Sequence, residues 1–182
     1  MTPLFLLHNP IEGIGSFYGG VLHPLVVPEQ ALLLVATAAC LSQQGLEQLR
    51  RALPPALVAL VAAIFLQPRL GWMPPQSLVL ILGMLIGLGV AARLRLPAAV
   101  SVALGLLCGL AVGLGTDVDT IPAGEELLFQ SGAGIGAGFA LLCLAVWLET
   151  AKRPWQQIVV RVLGSWTAAA ALINLSWQLV QG

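Results

Sequence analysis

Apolar stretches at roughly 29–45, 53–68, 76–92, 97–115, 126–148 and 157–180 follow one another through this chain, separated only by short polar connections. A helix needs about 20 predominantly apolar residues to cross the hydrocarbon core of a bilayer, within a range of roughly 17 to 25, and each stretch comes close to that length. A soluble domain cannot hide so many continuous apolar runs, because the polar residues left to cover them are too few: 9% of the chain is charged and 58% is hydrophobic. An average soluble domain carries about 25% charged residues. The expected fold is therefore an all-α integral membrane protein of about six transmembrane helices, forming one domain over residues 1–182 in a lipid bilayer.

Prolines mark the starts of these runs: Pro28 before the first, Pro54 and Pro55 in the second, Pro74 and Pro75 before the third, Pro97 at the fourth. The first turn of a helix tolerates a residue without an N–H. Residues 11–23, "IEGIGSFYGGVLH", are apolar but short and glycine-rich. They read as a half-helix, re-entrant or interfacial, whose backbone groups must be covered by protein. Met1 to Leu7 holds no basic residue and is soon interrupted by His8, Asn9 and Pro10, so no cleavable signal is expected.

Basic residues in short loops stay in the cytoplasm. Arg50 and Arg51, Arg93 and Arg95, Lys152 and Arg153 follow the first, third and fifth runs, and Arg161 lies at the foot of the sixth. Only Arg69 falls on the other side, which is therefore the expected exterior of an inner (cytoplasmic) membrane, with both termini on it. A full span in place of the half-helix would move the N-terminus inside and leave the loops where they are. Glu12, Glu29, Asp117, Asp119, Glu125 and Glu126 share that outer side with His8 and His23. Such a mouth concentrates cations, and carboxylate and imidazole groups are ligands for divalent metals. The plain alternative is that acids gather wherever the basic excess is missing.

"GGVLHPLVVPEQALLL", residues 19–34, resembles the first motif of the HupE/UreJ family, small membrane proteins that accompany hydrogenases and ureases and are regarded as nickel or cobalt permeases. That motif runs His-Pro, two residues, Gly, one residue, Asp-His, then a leucine-rich helix. His23 and Pro24 match it, Glu29 stands where the family has Asp, and Val27 and Gln30 replace the Gly and the second His. "GSFYGG" is similar to the family's glycine- and aromatic-rich approach. The family's second motif, a histidine pair with glycines and a glutamate, corresponds to "LLCGLAVGLGTDVD", which holds no histidine. The resemblance implies a divalent metal, nickel or cobalt, as cargo, with His23, Glu29, Asp117 and Asp119 as candidate ligands; the missing histidines shift the ligand set towards carboxylates. They fit equally a non-transporting accessory or structural subunit of a larger membrane complex.

Each candidate also has a structural role open to it. Glu29 can serve the start of a helix, where a carboxylate stabilises the positive dipole end by roughly 0.3–1 kcal/mol, and His23 can hydrogen-bond a neighbouring helix. Because the chain should turn between Pro24 and Pro28, His23 and Glu29 are expected to meet there. Cys40, Cys108 and Cys143 fall inside spans at unrelated spacings and read as small core residues. Gly83 and Gly87, then Gly105, Gly109 and Gly113, then Gly132, Gly134, Gly136 and Gly138 form small-residue ladders that should pack the third, fourth and fifth spans closely. Trp72, Trp147, Trp155 and Trp177 fit interfacial anchors. No basic tract suits nucleic acid. No enzyme emerges either: both histidines precede residue 24, and "GAGIGA" fits a dinucleotide fingerprint by letter but lies in a span with no preceding strand.

Overall fold

The computed structural model describes residues 15–118 and 121–181. Among them run seven α-helices and no strand: α1 (Gly15–Val26), α2 (Pro28–Gln43), α3 (Leu46–Leu70), α4 (Gln76–Ala91), α5 (Ala98–Leu114), α6 (Glu126–Glu149) and α7 (Pro154–Gln181). α3, α6 and α7 are each long and apolar enough to cross a membrane, and α1 with α2 satisfies the same measure as one bent pair. That makes three to four such elements, against about six expected. The shortfall lies in α4 and α5, apolar helices only 16 and 17 residues long. α4 stops where Arg93 takes a left-handed φ of 55° and Leu94 N–H turns back to the Gly89 carbonyl. α5 starts only after Pro97 and ends at Gly115.

The expected half-helix is present as α1, but it runs through Pro24 to Val26, and residues 11–14 of the expected segment lie outside the described residues. The break comes at Val27, whose ψ of 111° is extended. A residue before proline is pushed out of the helical region by the ring that follows, so Pro28 sets the break, and the two axes meet at 67°. α3 begins seven residues ahead of its apolar stretch, since 46 precedes 53. Leu49, Ala52 and Leu53 recur at helical spacing and are buried, while Glu47 and Arg51 pair on the exposed side at 2.7 Å. Those charges conceal from a hydropathy reading a turn that its spacing supports.

α2 is the centre of the molecule, touching every other helix, and the rest form pairs around it: α3 with α5, α1 with α6, α4 with α7. Glycine seals each pair. A Cβ on Gly109 would stand 2.2 Å from the Ala56 carbonyl oxygen, one on Gly132 would stand 2.1 Å from that of Phe17, and one on Gly87 would stand 2.8 Å from that of Gly164. Backbones approach this closely only where no side chain intervenes. The ladders of α4, α5 and α6 therefore do not pack on one another as the sequence suggests. Each receives the backbone of a different helix, because one small-residue face suffices for close approach. Gly134 and Gly138, on the other side of α6, meet Ile64, Leu57 and Leu60 side chains at ordinary contact distances.

Candidate functional site

The chain enters α2 at Pro28, so its first turn lies beside the starts and ends of several neighbours. Glu29 is there, 8% exposed, and Gln76 at the first position of α4 donates its amide Nε2 to Glu29 Oε2 at 2.9 Å. Two helix N-termini, the positive ends of two macrodipoles, thus flank one buried carboxyl group. No side-chain bond caps α2, so Glu29 is turned to α4 instead of back to its own N–H groups. His23, half-buried in the last turn of α1, presents its ring edge-on to Phe129 of α6, with centroids 5.3 Å apart. The break at Val27 therefore directs the two candidates to different helices. Asp117 lies half-buried in the connection after α5, and Asp119 lies outside the described residues. Among the described residues, no group of three or more His, Cys, Asp or Glu side chains is placed to hold a metal ion.

The acidic end of the bundle is partly self-satisfied. Glu125 accepts a hydrogen bond from Ser16 Oγ, and Glu126 accepts the Gly124 N–H at 2.9 Å. Between the last turns of α3 and the α5–α6 connection opens a groove of about 830 Å³, with Arg69 and Glu126 beside it and Gln130 among its lining residues.

Sequence reasoning passed over the buried amides of this end. Gln30, 2% exposed, donates Nε2 to the Gly115 carbonyl at 2.8 Å, and Gln130 donates Nε2 to the Ile64 carbonyl at 3.3 Å. Gln67, 5% exposed, sits one turn beyond Ile64 on α3. Their signal was available, because a glutamine inside or at the edge of an apolar run is an exception that burial must explain.

Gln30 also begins a polar line along α2. At seven-residue steps follow Thr37, whose hydroxyl lies beside the Cys108 thiol of α5, and Gln44, which donates to the Leu94 carbonyl at 3.0 Å and accepts the Leu96 N–H at 2.9 Å. Steps of seven keep these positions on one face of the central helix. At the opposite, basic end Gln43 donates to the Val90 carbonyl, Arg161 to the Ala91 carbonyl and Arg93 to Gln157, and Gln43, Arg93 and Gln157 line a cavity of about 110 Å³. Comparison with protein-family models, with curated proteins and with solved structures finds no match.

Proposed function

We propose that the protein is a small inner-membrane cation permease of the HupE/UreJ type, taking nickel or cobalt from the non-cytoplasmic side. The observation that carries this reading is Glu29: a buried carboxylate in an apolar bundle, placed where a span is broken and two helices begin. Ionisable groups at such positions are costly and serve substrate paths by default. In this reading α4 and α5 cross as short spans, giving about six crossings with α1 as the re-entrant limb, and the basic residues at the α2–α3, α4–α5 and α6–α7 connections hold that end in the cytoplasm. A transport site must release what it binds, so one carboxylate with weak neighbours suits passage better than a closed cage. His23 and the groove beside Glu126 and Arg69 would lie along the approach, with Asp117 and Asp119 supplying negative potential.

A second reading, a non-transporting subunit of a larger membrane complex, is favoured by the lack of a three-ligand group among the described residues. Nickel accumulation in cells separates the two. The permease reading expects uptake above that of cells carrying no protein, and at least a tenfold loss, on the order of 1.4 kcal/mol, in Glu29→Gln at equal protein abundance. Absence of wild-type uptake of both nickel and cobalt removes the permease reading and leaves the subunit.

A further inference from the structure

The basic end of the bundle carries an arrangement that neither reading uses. Where α4 ends, Arg93 takes its φ of 55°, its N–H bonds to the Val90 carbonyl, and the Leu94 N–H returns to the Gly89 carbonyl. Glycine usually fills this position of a closing turn, because a Cβ is crowded by backbone in the left-handed region. Arginine gains nothing for the turn itself. Nor do the last carbonyls of α4 need its charge, since Gln43 already donates to that of Val90 and Arg161 to that of Ala91.

The strained turn instead holds the Arg93 guanidinium against α7, where it donates to Gln157 Oε1 at 2.7 Å. There Arg93 lines the cavity of about 110 Å³ together with Glu149, Lys152 and Gln157. A water needs about 10–15 Å³ of such space, so the cavity admits a group of several heavy atoms. Lys152 is paired with Glu149, and among the described residues no carboxylate pairs with Arg93. The cavity is therefore lined by one positive charge in excess.

Leu148, Ala151 and Val160, which line this cavity, also line a second hollow of about 250 Å³ between the end of α6 and the start of α7. Its other lining includes Trp147 and Trp155, 68% and 58% exposed, with Val159 and Leu163 further along α7. A cationic cavity sharing a wall with an apolar furrow matches an amphiphile with an anionic head and a hydrocarbon tail, and exposed tryptophans belong at the headgroup level of a bilayer. We propose that the two hollows together bind one anionic phospholipid, its phosphodiester against Arg93 and Lys152 and an acyl chain along the furrow beside Trp155, Val159 and Leu163. The single excess charge suits a headgroup with one net negative charge, such as phosphatidylglycerol, over a zwitterionic one. The site is separate from Glu29, which bonds to Gln76, and needs only that the basic end lie at a membrane surface. It therefore stands or falls independently of nickel uptake.

The test is the unfolding temperature of the purified full chain in a non-ionic detergent, with phosphatidylglycerol or phosphatidylcholine added at equal mole fraction. Phosphatidylglycerol should raise it by several degrees at saturation and phosphatidylcholine should not, since a ligand held only by the folded state stabilises that state by mass action. Arg93→Gly should lose most of the rise and, without lipid, unfold no lower than wild type, because glycine suits the left-handed turn. Arg95→Gln removes a charge from the same end that does not line the cavity, and it should keep the rise. If Arg93→Gly does not fold, native mass spectrometry of the wild type with both lipids in equal amounts decides the matter, with one phosphatidylglycerol retained per chain expected. An equal rise with phosphatidylcholine, a rise that survives in Arg93→Gly, an equal loss in Arg95→Gln, or no retained phosphatidylglycerol would overturn the site. The same rise with glycerol 3-phosphate would make the cavity a site for a free phosphate ester and would overturn the lipid as its occupant.

Discussion

Gly109 and Gly134 are both helical glycines in apolar runs, and nothing in the sequence separates them. The structure does: a Cβ on Gly109 would lie 2.2 Å from the Ala56 carbonyl oxygen and 2.9 Å from the Leu60 nitrogen, whereas one on Gly134 meets only the flexible tip of Ile64 at 3.6 Å. Backbone cannot step aside as a side chain can. Gly109→Ala should therefore destabilise the protein by about 1–3 kcal/mol and lower its unfolding temperature in detergent, while Gly134→Ala leaves it unchanged or slightly raised. Equal effects at the two positions would show that α3 and α5 are not in backbone contact. The same limit governs the candidate site. That Glu29 and His23 were exceptions in an apolar chain was legible, but their choice of Gln76 and Phe129 as neighbours depends on which helices flank α1 and α2, and a single sequence carries no record of that.

At the level of elements, helix positions follow from apolar runs and prolines closely, with ends displaced by a few residues. The largest displacement, at the start of α3, arose because Glu47, Arg50 and Arg51 lower the hydropathy of a turn whose Leu49 and Leu53 are buried. Pairing was less legible. A glycine ladder announces that some backbone comes close and says nothing of whose. α1 is held mainly by α6, through Gly20, Gly132 and Gly136. Gly132→Val would drive a branched side chain into the Phe17 carbonyl and should lift α1 away. Hydrogen exchange of the amides in 15–26 is then expected to accelerate at least tenfold, with little change in α3 and α5, as for a locally opening unit. Uniform acceleration through the bundle would mean that α1 is part of one cooperative core.

Across the whole molecule, the alternation of short connections gathers Arg50, Arg51, Arg93, Arg95, Lys152, Arg153 and Arg161 at one end and Glu29, Asp117, Glu125 and Glu126 at the other. Single cysteines placed near Arg50, Arg95 and Lys152 should react with an impermeant reagent only from the cytoplasmic side, and one at Thr116, once exposed by mild denaturant, only from outside. Labelling of the Lys152 and Thr116 positions from the same side would refute the proposed topology. Each of the pairs around α2 also joins a long helix to a short one: 24 residues with 12 in α6 and α1, 28 with 16 in α7 and α4, 25 with 17 in α3 and α5. At about 1.5 Å per residue, α4 and α5 reach only about 24–26 Å, against roughly 30 Å of hydrocarbon. Where α4 and α5 cross as the proposed topology has them, acyl chains beside them must shorten or headgroups sink inward, at fractions of a kcal/mol for each ångström of mismatch, while the long partners hold the full thickness. In the proposed topology the lipid annulus is uneven around the circumference, dimpled against the short helices and full against α3, α6 and α7, and a membrane rich in thin lipids accommodates such a bundle with the least deformation.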